Sequence, residues 1–269
     1  MTPESSDISS PPISDIEIQL LMGGIRQAGS VLLEYWPGRL GSSALGPVEW
    51  KGDGSPVSAA DLLSNQTLCG LLQRLYPNDA ILSEEVPVDA VALKASRRVW
   101  IIDPLDGTSA FLQGRDDFSI LLSLWCDNKP VLGFMFFPAR DQMVVAQKNH
   151  GALLNGTLMA VSQASECISG GAYIRNFDCS KPQLASPVMD SGLALMKVAC
   201  GDLQGAIIKM TTHREWDLAA PIVAILEAGG KVTDEQGNSV LCGTGEMLFS
   251  YFVASNRRCH EELLELIPR

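Results

Sequence analysis

Arg98-Val99-Trp100-Ile101-Ile102-Asp103-Pro104-Leu105-Asp106-Gly107-Thr108-Ser109-Ala110-Phe111 is the stretch from which the fold of this chain is read. Its apolar run, Val99 to Ile102, stops at Asp103 and meets Pro104 and Gly107, the pattern of a buried strand ending in a tight turn. A helix can start after it. Two carboxylates three residues apart therefore sit at a strand's end. Close carboxylates raise each other's pKa unless a cation lies between them, and all-oxygen ligation suits Mg²⁺ or Mn²⁺ better than zinc. Gly107 and Thr108, at the start of a helix, can aim backbone N–H groups at a phosphate. An ordinary Asp-Gly turn with Asp106 as a cap has the same local sequence, so the rest of the chain decides between the two.

Upstream, residues 1–14 are polar and Pro-rich and are expected to form a flexible tail. From Asp15, apolar residues recur at helical spacing up to Trp36-Pro37-Gly38, which predicts one amphipathic helix. Its Met22-Gly23-Gly24 would permit close packing against a neighbour. Residues 37–58 read as loop with a short hairpin around Val48 to Lys51. Ser58-Ala59-Ala60-Asp61 opens a second helix that ends at Tyr76-Pro77. Ala80-Ile81-Leu82 is a short strand running into Ser83-Glu84-Glu85, so acids again follow a strand. Residues 86–98 read as a charged connection.

Downstream, residues 118–148 alternate β-rich runs with short turns, as in an antiparallel meander, and Gly151 to Thr157 extends it with another turn. Gly170 to Ile174 and Leu203 to Met210 read as strands, and Leu193 to Cys200 as a buried helix. A helix starts near Trp216-Asp217 and ends at Gly229-Gly230. Lys231 to Asp234 and Phe249 to Ala254 are the last strands, and His260 to Ile267 a closing helix. The expected architecture is mixed α and β in layers.

At 269 residues, 46% hydrophobic and 19% charged, the chain has ample core material for one domain or two closely packed subdomains. A net charge of −11 argues against a nucleic acid polymer as partner, while leaving a small phosphorylated substrate in one local pocket open. Seven cysteines without a C-x-x-C pair are expected to be buried free thiols in a reducing, cytoplasmic setting. No segment is long and apolar enough to span a membrane.

The order acid pair, D-P-L-D-G-T, W-D resembles the lithium-sensitive, Mg²⁺-dependent inositol monophosphatase superfamily, which includes fructose-1,6-bisphosphatase and 3′(2′),5′-bisphosphate nucleotidase. Gln27-Ala28-Gly29, Ser55 to Asp61, Tyr76-Pro77 and Glu227 to Gly230 extend the resemblance over nearly all of residues 15–269. It implies an α+β fold, a layered αβαβα sandwich with a larger N-terminal half to about residue 157 and a smaller C-terminal half. It implies that Glu84, Asp103, the Leu105 carbonyl, Asp106 and Asp217 bind two or three Mg²⁺ ions, with Mn²⁺ as a substitute. Asp61 and Thr108 then match the pair that orients the attacking water, Glu85 lies near enough to affect that water or a third metal, and Gly107 with Thr108 cradles phosphate. A homodimer is such a family's usual form.

For the substrate, D-P-L-D-G-T, Gly114 and Thr212 to Asp217 resemble the bisphosphate nucleotidases of the CysQ type, which implies hydrolysis of the 3′(2′)-phosphate of adenosine 3′(2′),5′-bisphosphate. Ser191-Gly192 and Val198-Ala199 with Gly201 resemble the inositol monophosphatases, and a fructose-1,6-bisphosphatase-like sugar phosphatase is a further alternative. Leu193 to Met196 would suit an adenine ring or plain core. Arg175, Lys197, Lys209, Arg214 and Arg115 are candidates for a second phosphate. A metal-dependent phosphate sensor on the same fold is the non-enzymatic alternative.

Overall fold

Along strand β4 (Arg98–Asp106) the side chains alternate between two cores, and this alternation sets the layers. Val99 and Ile101 pack on one face and Trp100 and Ile102 on the other, the period of two that a strand imposes. The computed structural model describes residues 13–39, 48–50, 56–165, 171–175 and 188–268. Among these, β4 is the second strand of a seven-stranded sheet in the order β3 (Ala80–Ser83), β4, β5 (Ser119–Cys126), β6 (Lys129–Phe137), β7 (Gln142–Gln147), β8 (Gly151–Leu154), β9 (Thr157–Leu158). The β3–β4 pair is parallel and the others are antiparallel, so the expected meander is present and extends to Leu158.

Helices α1 (Asp15–Tyr35) and α2 (Ala59–Leu75) cover the Trp100 face. α1 starts where Ser14 and Glu17 cap each other: Ser14 N–H donates to Glu17 Oε2 (2.9 Å) and Glu17 N–H to Ser14 Oγ (3.3 Å). Of the expected tail, Ile13 is already in the core at 5% exposure and Ser14 is this cap; residues 1–12 lie outside the described residues. Gly24 does provide close packing, since a Cβ there would lie 2.3 Å from Leu71 Cδ2 of α2. The hairpin expected near Val48 is the antiparallel pair β1 (Val48–Trp50) and β2 (Pro56–Ser58).

The opposite face of the large sheet packs on α5 (Ser191–Cys200) and α6 (Glu215–Glu227), whose far sides bury the small sheet β10 (Ala172–Arg175), β11 (Gly205–Lys209), β13 (Tyr251–Ser255), β12 (Lys231–Asp234). α7 (His260–Leu264) closes the outer face on Ile207 and Val253. Helices, sheet, helices, sheet, helix is the layered α+β sandwich expected from the sequence. α6 approaches the large sheet closely because Gly133 has no side chain, a Cβ there lying 2.9 Å from the Ala220 carbonyl oxygen. Leu193 to Met196 is buried between the sheets, so of the two expectations for this run the structure shows core.

Two expectations fail locally. The connection 86–98 contains a short helix, α3 (Ala90–Ala95), capped by the Asp89 side chain, which accepts from the Val91 and Ala92 N–H groups. The apolar run also does not stop at a tight turn after Ile102. β4 continues through Pro104 to Asp106, and only then does Gly107, at φ +80°, turn the chain into α4 (Thr108–Leu112).

Candidate metal centre

The irregularity in β4 explains why Asp103 and Asp106 come together. Asp103 pairs with Leu121 and Asp106 with Ser119, so three steps along β4 match two along β5. Residues three apart on a regular strand point to opposite faces, and one extra residue in a bulge returns them to the same side. The bulge also accommodates Pro104, which has no N–H for a ladder. Asp217, in the first turn of α6, arrives on that side from the middle layer. Ligand oxygens of Asp103, Asp106 and Asp217 lie within 4.8 Å of one another.

These acids are held against their own repulsion. Burial pushes the Asp103 carboxyl well above the usual range, and the charges of Glu84, Asp106 and Asp217 push it further. Asp106 is raised by burial, then by Asp190 and Asp217, and accepts a hydrogen bond from Ser119 Oγ (2.9 Å). Asp217 is pushed up to about 7, mainly by burial, against the stabilising N–H of Arg214 (2.5 Å) and with further raising from Glu84. None of the salt bridges among the described residues ends on these three acids. Oxygen donors this close, without an organic cation, fit a hard divalent ion.

Glu84 enters from β3: its N–H donates to the Ile102 carbonyl (3.2 Å), continuing the parallel ladder and bringing Glu84 level with Asp103. Ser83 Oγ donates to Asn65 Oδ1 of α2 (2.7 Å), fixing the strand end from behind. Glu85 is half-buried beside it, its N–H facing Ser83 Oγ (3.4 Å). From α2, Ser64 Oγ donates to the Pro104 carbonyl (2.8 Å), and Asp61 is buried one turn earlier. Thr108 Oγ1 lies 3.4 Å from Asp61 Oδ1 and 3.2 Å from the Leu105 carbonyl oxygen. The candidate water-orienting pair and the Leu105 carbonyl are thus neighbours, with Gly107 at the adjoining turn.

Several residues to which the sequence reading gave no role at the metal site border it. Asp190 caps α5 and its N–H donates to Asp117 Oδ2 (2.6 Å). Gly192, in the first turn of α5, presses on the cluster: a Cβ there would lie 2.0 Å from Asp106 Oδ2. Asp190 ahead of an apolar helix is a legible cap signal, whereas its proximity to Asp106 depends on the packing of α5. His213 is buried, shares a 3.0 Å contact between Nε2 and Ser191 Oγ, and is held down to about 4 by burial and by Arg175 and Arg214. Of the candidate cations, Lys197 pairs with Asp202 and Arg115 with Asp117, Arg214 Nη1 donates to the His213 carbonyl (3.0 Å), and Lys209 lies 5.9 Å from the Tyr251 ring. Arg175 differs. It is 35% exposed, 3.9 Å from Asp190 Oδ2, and its charge acts on Asp106.

The described cysteines form no disulfide: 126, 242 and 259 are buried as expected, while 69 and 200 are only half-buried, and 167 and 179 lie outside the described residues. No helix among the described residues is long and apolar enough to cross a membrane.

A family profile described as the inositol monophosphatase family matches residues 17–269. A fructose-1,6-bisphosphatase/inositol-1-monophosphatase of Thermotoga maritima is 28% identical over 263 residues, covering 94% of each chain. A histidinol-phosphatase of Chlorobaculum parvum is 29% identical over 243 residues, covering 85% of this chain and 90% of its own. Among solved structures, an IMPase/NADP phosphatase complexed with Mg²⁺ and phosphate superposes with a TM-score of 0.77 at 21% identity, covering 93% of this chain and 94% of that one.

Proposed function

Because the chain belongs to the inositol monophosphatase family, we propose that it is a Mg²⁺-dependent phosphomonoesterase whose substrate carries a second anionic group, of the adenosine 3′(2′),5′-bisphosphate type. The observation that carries the reading is the convergence of Asp103, Asp106 and Asp217 to within 4.8 Å, with Glu84 acting on the same cluster. Mg²⁺ bound there would supply Lewis-acid stabilisation of phosphoryl charge and a lower pKa for bound water.

The chain's own residues do the rest. Glu84, Asp103, the Leu105 carbonyl, Asp106 and Asp217 hold the cation positions. Thr108 Oγ1 and the Asp61 carboxylate accept and relay hydrogen bonds from the attacking water, keeping its lone pair in line with the phosphorus. The Gly107 and Thr108 N–H groups receive phosphate oxygens. Glu85, next to Glu84 in the chain, would tune that water or a third cation.

Arg175 supports the second anion: Nη1 is held by Tyr173 OH and the Met189 carbonyl, and the 35% exposed guanidinium beside the cluster would give its remaining N–H groups to an oxyanion that the metal does not reach. Inositol 1-phosphate is the second reading, favoured by a relative named for that activity. Phosphate release with Mg²⁺ from adenosine 3′,5′-bisphosphate, inositol 1-phosphate and fructose 1,6-bisphosphate at equal concentration tests both. We expect the largest kcat/KM for the nucleotide, with Arg175→Met lowering it about 10- to 100-fold, the scale of one lost hydrogen-bonded charge contact. A preference for inositol 1-phosphate would overturn the substrate. A protein inert toward all three would instead be a metal-dependent phosphate sensor.

A further inference from the structure

Glu215 has no part in the chemistry above, yet it is 3% exposed and its two oxygens collect four hydrogen bonds from one loop. Oε2 accepts from the Gly243 N–H (2.6 Å) and the Thr244 N–H (3.2 Å). Oε1 accepts from Thr244 Oγ1 (2.7 Å) and the Glu246 N–H (3.0 Å). A buried carboxylate with four donors is a stiff attachment, since charge-assisted hydrogen bonds are about twice as strong as neutral ones.

The two ends of this attachment are informative. Glu215 is the first residue of α6, and Asp217 follows two residues later. Pro221 lies inside the same helix, and its missing N–H deprives the Asp217 carbonyl of the usual helical partner four residues on. The turn that carries Asp217 is therefore held less by its own helix than an ordinary first turn. At the other end, Gly243 adopts φ +93° and lies against β4 and β5, where a Cβ would meet Val99 Cβ at 3.6 Å and Trp125 Cβ at 3.9 Å. The loop thus rests on the sheet whose strand β4 carries Asp103 and Asp106.

We propose that Glu215 is a positioning residue that ties the Asp217 end of α6 to the sheet bearing the other acids, and so sets the geometry in which a divalent cation is bound. The inference rests on the metal reading of the site given above. It assigns Glu215 no contact with substrate or water.

The test uses the full chain and Mn²⁺ as a paramagnetic probe, with binding followed by electron paramagnetic resonance, alongside Mg²⁺ activation curves and thermal melts. Glu215→Gln keeps two acceptor sites and turns an NH₂ toward the other two donors; Thr244→Val removes one donor and leaves Glu215 itself intact. We expect Glu215→Gln to weaken Mn²⁺ binding on the order of 10- to 100-fold, the range seen for residues that orient metal ligands. Thr244→Val should shift it in the same direction by less. The Mg²⁺ concentration for half activity should rise in parallel, while turnover at saturating Mg²⁺ recovers to about the parent value, as a lost binding contribution requires. Variants that melt earlier but bind Mn²⁺ with the parent affinity would overturn the proposal, leaving Glu215 a purely structural anchor. Should Glu215→Gln fail to fold, unchanged affinity in Thr244→Val would overturn it equally. A parent protein that binds neither Mn²⁺ nor Mg²⁺ would remove the metal reading itself, and this inference with it.

Discussion

Asp103 is 1% exposed and carries the repulsion of three neighbouring carboxylates, so its side chain costs the metal-free fold stability instead of adding to it. Asp103→Asn is expected to abolish Mg²⁺-dependent turnover while the melting temperature measured in chelator stays the same or rises. A large loss of thermal stability without metal would contradict the placement of Asp103 among competing acids. Thr108 tests the neighbouring function. Its Oγ1 lies between Asp61 Oδ1 and the Leu105 carbonyl oxygen. Thr108→Val is therefore expected to lower kcat by about 10²- to 10⁴-fold, the usual contribution of a positioned acid–base group, with Mn²⁺ affinity little changed. Equal losses in both would assign Thr108 to the metal and not to the water.

Among the elements, α5 is the one whose position the site tolerates least. Gly192 lets its first turn touch the cluster, a Cβ there falling 2.0 Å from Asp106 Oδ2 and 3.0 Å from Ser119 Oγ. Gly192→Ala has to move either the helix or the carboxylate, and overpacking of this kind costs about 1–3 kcal/mol. Chemical denaturation should show that loss together with reduced Mg²⁺ affinity; a fully active, equally stable variant would mean that α5 has room to retreat. β4 is the other decisive element. Its residues read as a strand from sequence alone, but an apolar run followed by Pro and Gly has the same pattern whether the chain turns at once or bulges and continues. The ladder with β5 selects the bulge, and with it the common side of Asp103 and Asp106.

Over the whole molecule, the buried acids couple folding to pH and to metal. Asp217 titrates at about 7 in the folded protein, above its unfolded value, and Asp103 and Asp106 are raised in the same direction. A raised carboxylate binds more protons folded than unfolded, so its contribution to stability is full below about 4, the unfolded value, and is lost as pH rises through its folded value, about 7 for Asp217. His213 and His260, both held down to about 4, have the opposite sign: their contribution is present above the unfolded histidine value and is lost as pH falls toward 4. Metal separates the two groups, because a cation replaces protons at the acids only. The rise in melting temperature caused by saturating Mg²⁺ is expected to grow between pH 5 and 8, and calorimetry at pH 7 in buffers of different ionisation enthalpy should show protons released on binding. A Mg²⁺ effect independent of pH, with no proton release, would place the ion away from these acids.

The sequence by itself determined most of the elements. The periodicity of α1, α2 and α6 and the alternation of β-rich runs with turns in the meander are local signals, written within a few residues of where they act, whereas Ser14, read as tail, proved to be the cap of α1. It also supplied the acids, since Glu84, Asp103, Asp106 and Asp217 stand at strand ends and a helix start that can be recognised one by one. The tertiary structure alone decided which of them share a side of the sheet, that Leu193 to Met196 is core, that Arg175 and Asp190 border the cluster, and that Glu215 reaches a loop 28 residues away. Those facts depend on one extra residue in a ladder and on helices packed across layers. Burial and charge repulsion are set by distances between segments remote in the chain, for which no local pattern carries a signal.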